Sequence, residues 1–160
     1  MANLLGKVAI ITGTTADSIG RACALAMAKA GAKVVVTGRN ENGGKITEKI
    51  INDEGHQAIF IKHDVTSEVN WKNVVNKCIE KYGKLDILLN NSGESRGGPI
   101  EKLNLSDLHF LLKVNVEGPF LGAKYCWKYL SNSKSGVILN MSSLTSQQPG
   151  PGGTIYGPSK

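Results

Sequence analysis

The sequence predicts a doubly wound α/β fold built on a parallel sheet, and three observations carry that prediction. Five short, continuously apolar runs are rich in β-branched residues, as strands buried on both faces require. Amphipathic helical stretches alternate with them along the chain, which is the pattern of βαβ units whose crossovers cover a parallel sheet. The length, 160 residues, suits one domain that buries roughly 70% of its unfolded surface.

The first run is KVAIIT, residues 7–12. From Ile19 the apolar positions Ala22, Cys23, Ala26, Met27 and Ala30 follow three-four spacing, so a helix with one buried stripe is expected, stopped by Gly31. KVVVTG (33–38) is the second strand, a helical stretch near 42–54 follows, and QAIFIK (57–62) is the third strand. A helix over 67–82 opens at Ser67, a suitable N-cap, and leads to the fourth strand, LDILLN (85–90). The longest helical stretch, 106–131, has Ser106 as its candidate cap and precedes the fifth strand, GVILNM (136–141). No internal repeat, low-complexity tract or linker divides the chain, so residues 1–160 read as a single domain.

A hydrophobic fraction of 41% and a charged fraction of 20% are ordinary for a globular protein. No apolar run approaches the roughly 20 residues that span a bilayer. The N-terminal MANLLGKVAIITG has neither a basic region before an apolar core nor a small-residue cleavage site, which argues against a secretory leader and for the cytoplasm. Cys23, Cys78 and Cys126 are odd in number, far apart and without zinc spacing, and the three histidines are scattered, so no metal site is expected. The net charge of +6 raises nucleic acid as a partner. Yet the lysines lie singly among acids, as in KITEKI and NKCIEKYGK, which describes solvated helix faces. A basic excess of this kind suits an anionic small ligand such as a dinucleotide.

Directly after the first strand comes TGTTADSIGRA, Thr12 to Ala22. A glycine-bearing turn at that point lets backbone amides and a helix N-terminus face a pyrophosphate. Gly13 and Gly20 bracket six residues, and Ser18, with Asp17 beside it, stands where a middle glycine is usual. Ser18 could approach a phosphate as a hydroxyl donor, whereas Asp17 must point away from the anion. At the end of the second strand, VVVTGRN offers no acid for a ribose 2′-hydroxyl but places Arg39 after Gly38, which favours NADP(H) over NAD(H).

These residues, with others downstream, resemble the short-chain dehydrogenase/reductase family along all 160 positions. TGTTADSIG is similar to its cofactor loop, with one extra residue and without the central glycine. HDVT (63–66), LDILLNNSG (85–93), KVNVEGPF (113–120), GVILNMSSLTSQQPG (136–150) and YGPSK (156–160) match further family motifs in order and spacing. The resemblance implies a Rossmann-like fold, incomplete on its C-terminal side. It also implies an oxidoreductase moving hydride between a nicotinamide and a carbonyl or alcohol substrate. By the family pattern the active serine lies 13 positions before the tyrosine, which selects Ser143 over Ser142. Asn115, Ser143, Tyr156 and Lys160 are then the catalytic set. Cofactor contacts are implied for Gly13, Thr15, Ser18, Ile19, Gly20, Arg39, Asp64, Val65, Asn91, Ser92 and Gly93, together with Tyr156 and Lys160.

The chemistry suits those residue types. A tyrosine with the ordinary pKa of about 10 is a poor base at neutral pH, so a cation such as Lys160, expected on the same helical face as Tyr156, must sit near it. Ser143 could donate to a carbonyl oxygen as charge develops there, and Tyr156 could give or take the proton. Asn115 lies in line with Leu108, Leu111 and Leu112, where a buried amide needs partners. Pro119, four residues on, has no N–H for the Asn115 carbonyl, which marks either a site for a relay water or a helix kink.

Lys160 ends the sequence, whereas family members continue beyond their lysine. The chain is therefore expected to be a fragment with little turnover and a fifth strand without an outer neighbour. A full-length form is expected to be a homo-oligomer. A non-catalytic dinucleotide-binding module and a nucleic-acid interaction protein are the rival readings. Neither needs Ser143 and Tyr156.

Overall fold

The computed structural model describes residues 3–148 and 150–160; Met1, Ala2 and Pro149, the last within the fifth motif above, lie outside the described residues. Five parallel strands form one sheet: β1 (Val8–Thr12), β2 (Lys33–Gly38), β3 (Gln57–Lys62), β4 (Ile87–Asn90) and β5 (Val137–Asn140). Their spatial order is β3-β2-β1-β4-β5. The chain therefore winds outward from β1 to β3, then crosses back to lay β4 on the other side of β1. Crevices at such a reversal, beyond the carboxyl ends of the strands, are where α/β sheets hold ligands.

Each strand falls on its expected run, and β1, β2 and β4 are covered on both faces. Alternate residues enter two cores: Val8, Ile10, Val35, Leu85 and Leu88 on one face, Ala9, Ile11, Val34, Val36, Ile87 and Leu89 on the other. The first core is roofed by α3 (Glu68–Tyr82) through Trp71, Val74 and Cys78, and by α5 (Gly118–Asn132) through Leu121, Cys126 and Leu130. The second is roofed by α1 (Ile19–Lys29) through Ala24 and Ala28, and by α2 (Glu41–Asp53) through Ile51. β5 pairs with β4 alone, and its Val137 and Leu139 remain partly open to solvent at 43% and 44%.

Three helical details differ from expectation. In α1 the buried stripe is Gly20, Ala24 and Ala28, while Ala22 and Ala26 are exposed and Cys23 is half-buried. A stripe of the smallest residues lets the helix lie close to the sheet, so packing distance, not apolar count, chose the face. Ser106 is inside α4 (Leu105–Leu112); Asn104 caps it, in a box with Asp107. The long stretch 106–131 is interrupted by a π-turn over Lys113–Glu117, where the Gly118 N–H donates to the Lys113 carbonyl. Pro119 cannot donate to Asn115, so the extra residue in the turn is the local answer to that missing bond.

Asp86 ties the N-terminal ends of β1, β4 and β5 together. It is 3% exposed, accepts the buried Val8 N–H at 2.9 Å, the Ser133 hydroxyl at 2.6 Å, and pairs with Lys84 at 3.0 Å. Burial pushes its carboxyl up, but the bonds from Ser133, Lys84 and Val8 hold it below the usual value. Replacing Asp86 with Ala orphans a buried N–H and is expected to cost roughly 2–3 kcal/mol. Thermal denaturation should then show a melting temperature lowered by roughly 5–10 °C.

Candidate active site

A cleft of about 580 Å³ opens at the carboxyl ends of β1 to β4, within the size range of cofactor sites. Its first wall is the turn after β1. Gly13 has φ +74°, a conformation that favours glycine. A Cβ on Gly20 would stand 2.3 Å from the Gly13 carbonyl, so the start of α1 can close on the turn only without a side chain. Ser18 is the N-cap of α1: its hydroxyl accepts the Arg21 N–H at 3.4 Å and donates to the Ala16 carbonyl at 3.2 Å. The residue that stands where a middle glycine is usual thus supplies a helix cap. Asp17 is exposed and does not line the cleft.

The second wall is the end of β4. Thr12 Oγ1 accepts the N–H groups of Asn91 and Ser92 at 3.0 and 2.9 Å. In return, Asn91 Nδ2 donates to the carbonyls of Thr12 and Gly13 at 2.9 and 3.2 Å. Asn90 braces β5 instead, through Asn140 Oδ1 at 2.9 Å. Both asparagines therefore hold strand ends together.

Asn115, 8% exposed, hangs from the π-turn and grips the backbone just past Gly93. Its Oδ1 accepts the Glu94 N–H, and its Nδ2 donates to the Glu94 carbonyl, both at 2.9 Å. Nδ2 also donates to Ser159 Oγ at 2.9 Å, and Ser159 in turn donates to the Tyr156 carbonyl at 2.7 Å. A buried amide so fully partnered rigidifies its surroundings. It links the end of β4 to the turn that bears Tyr156.

At the far end of the cleft lies Lys160. A Cβ built on Gly93 would stand 3.3 Å from Lys160 Nζ and 3.4 Å from Asn115 Oδ1. Burial holds the Lys160 ammonium below the usual lysine value. Tyr156 precedes a 3₁₀ turn over Gly157–Ser159, so Tyr156 and Lys160 do not share the α-helical face expected of them; three residues per turn rotates one away from the other. Ser143 caps another 3₁₀ turn, accepting from the Thr145 N–H at 3.3 Å and hydroxyl at 2.9 Å. The two turns pack together: a Cβ on Gly157 would meet the Thr145 carbonyl at 2.7 Å. Ser142 donates to the Lys160 carbonyl at 3.1 Å.

The eleven loop and strand-end positions expected to touch a cofactor, Gly13, Thr15, Ser18, Ile19, Gly20, Arg39, Asp64, Val65, Asn91, Ser92 and Gly93, all line this one cleft. Asn115, Ser143, Tyr156 and Lys160 are outside its lining, with Asn115 and Lys160 adjoining it at Gly93. A scan against protein-family models matches the short chain dehydrogenase family over residues 7–160. The chain belongs to that family.

Several of its relatives are oxidoreductases by name. An uncharacterized oxidoreductase of Thermotoga maritima is 40% identical over 141 residues, covering 88% of this chain and 55% of its own length. Tropinone reductase-like 1 of Erythroxylum coca is 39% identical, covering 98% and 58%. A 2,5-dichloro-2,5-cyclohexadiene-1,4-diol dehydrogenase of Sphingobium indicum is 38% identical, covering 98% and 62%. The chain spans between half and two thirds of the length of these relatives. The family uses NAD(P) and small-molecule substrates, and the sheet described above is its Rossmann-like one. Among the described residues no helix is long and apolar enough to cross a membrane, and no group of three or more His, Cys, Asp or Glu could hold a metal ion.

Six lining residues were not among the expected cofactor contacts: Ala16, Gly38 and Val114, and the polar or charged Asn40, His63 and Glu94. Each adjoins a residue singled out for the site, and that adjacency was the only available signal. Asn40 caps α2 through the Gly43 N–H at 3.0 Å. Glu94 pairs with Arg39 at 2.5 Å. At Asp64 burial pushes the carboxyl up, but Thr66 and the nearby Arg39 charge bring it below the usual value.

His63 is 1% exposed and meets Trp71 edge to face at 4.3 Å. Thr37 Oγ1 donates to the Ile11 carbonyl at 3.2 Å, so it accepts from His63 Nδ1–H at 3.0 Å. That assignment leaves Nε2 as the buried side-chain atom without a partner. Burial lowers the His63 pKa to about 4, against a small opposing pull from Asp64. Between that value and the ordinary 6.5 the unfolded chain binds the proton and the folded chain does not. Acid therefore destabilises in this window, by about 2 kcal/mol near pH 5. Urea denaturation at about pH 7 and pH 5 should show this loss in the native chain and most of it gone in His63→Asn. An equal loss in both would disprove the role.

Proposed function

We propose that this chain is the dinucleotide-binding part of a cytoplasmic short chain dehydrogenase that transfers hydride between NADP(H) and a carbonyl or alcohol. The observation that carries the reading is the convergence of eleven predicted residues, from the carboxyl ends of four strands, on one cleft beside the Lys160 ammonium. The residues fit the group. The positive-φ turn at Gly13 brings the N-terminus of α1 to the cleft, where its first N–H groups can face a pyrophosphate. Gly93, without a side chain, leaves room beside Lys160. Arg39 supplies a guanidinium for a 2′-phosphate.

A bound nicotinamide would supply or accept the hydride. Tyr156 is assigned the proton, giving it to the carbonyl oxygen in reduction and taking it in oxidation. Ser143 is assigned a hydrogen bond to that oxygen as its charge grows. Lys160, partly withdrawn from water, has donors to offer ribose hydroxyls. Asn115 acts at one remove, holding the Glu94 backbone and, through Ser159, the Tyr156 turn. The relatives' names bring ketone and cyclic diol substrates into range for the whole protein, which we expect to work as a homo-oligomer.

Titration of the 160 residues with NADPH, followed by nicotinamide fluorescence, should show saturable binding. Gly93→Val should weaken that binding by more than about tenfold while the far-ultraviolet spectrum stays unchanged. We expect little turnover with a panel of ketones, and any ketone-dependent NADPH oxidation should drop about a hundredfold or more in Tyr156→Phe. Absence of dinucleotide binding, or full activity in the phenylalanine variant, would overturn the reading.

A further inference from the structure

Arg39 and Glu94 reach the cleft from opposite sides, one just beyond β2 and the other just beyond β4, with β1 between those strands. Their side chains meet across it at 2.5 Å, and both residues line its wall. Asp64 lines the same corner and feels the Arg39 charge. One guanidinium thus faces two carboxylates. The next cation, Lys62, lies on the outer side with Arg39, in an adjoining hollow.

This balance works against a second anion. A phosphate monoester carries close to two negative charges at neutral pH. To bond Arg39 it must displace Glu94 and then lie beside two carboxylates that remain charged. A ribose hydroxyl meets no such repulsion. In Glu94 it finds the acid that other dinucleotide folds present from the end of the second strand, delivered here from the fourth. The backbone of Glu94 is fixed independently of the ion pair, because Asn115 bonds both its N–H and its carbonyl. Arg39 and Glu94 side chains are 65% and 33% exposed, so their pairing adds little to stability and its effect falls on ligand choice.

We propose that Glu94 is a cofactor-specificity residue, whose carboxylate competes with an adenosine 2′-phosphate for Arg39 and so limits how strongly the chain selects NADP(H) over NAD(H). The proposal rests on the dinucleotide reading of the cleft. Removing the carboxylate frees the guanidinium and sharpens the preference.

Calorimetric dissociation constants for NADPH and NADH, measured on the native chain, Glu94→Gln, Arg39→Gln and the double variant, test it. Glu94→Gln should tighten NADPH about tenfold and change NADH by less than about threefold. Arg39→Gln should weaken NADPH more in the Glu94→Gln background than in the native one, since the two side chains are coupled. Glu94→Ala should tighten NADPH as well, which separates loss of charge from any contact made by the glutamine. If both dinucleotides tighten equally, or NADPH does not respond, the role of Glu94 is refuted while the dinucleotide reading stands. If no variant binds either dinucleotide, the reading itself fails and the inference falls with it.

Discussion

The reciprocal bond between Thr12 and Asn91 is the constraint on which the cleft depends. Where β1 and β4 end, their backbones part, and the amides of residues 91 and 92 and the carbonyls of residues 12 and 13 would lose their ladder partners. Each such group left dry costs as much as a lost hydrogen bond. One threonine hydroxyl and one asparagine amide meet four of them. The glycine turn is thereby held against the end of β4.

Asn115 repeats that logic one layer outward. Its amide satisfies the Glu94 backbone and reaches Ser159, so the segment after β4 and the turn carrying Tyr156 move as one body. The π-turn that aims it follows from Pro119, which cannot donate to the helix ladder. The proposed chemistry draws on this geometry. The residues assigned to proton transfer sit on short turns, and those turns are positioned by polar side chains instead of by a long helix.

Electrostatics at the cleft mouth are mixed. Arg39 is engaged by Glu94 and flanked by Asp64, so the basic excess of the whole chain does not make this corner strongly positive. His63, beneath that corner, is kept neutral by burial. Overall charge argued for an anionic ligand; locally, the one guanidinium at this corner is already paired.

The strands were legible in the sequence because each is a continuous apolar run, and all five lie where those runs predict, the partly exposed β5 included. The turn after β1, Arg39 at the end of β2 and Asn90-Asn91-Ser92-Gly93 at the end of β4 were legible for a related reason. Small or polar residues at a strand's carboxyl end have few other uses. The buried face of α1 was not legible, since it depended on how closely the helix approaches the Gly13 carbonyl. Nor was Ser18 as a cap, nor the separation of Tyr156 and Lys160 around a 3₁₀ turn. Sequence by itself determined the layered fold and the residues brought to its ligand-binding edge, because burial periodicity and strand-end chemistry are local. Only the tertiary structure decided that Glu94 would reach Arg39 and that Asn115 would bind both Glu94 and Ser159. Those partners lie 55, 21 and 44 positions apart in the chain, and no local pattern records which distant side chains a fold brings within hydrogen-bonding reach.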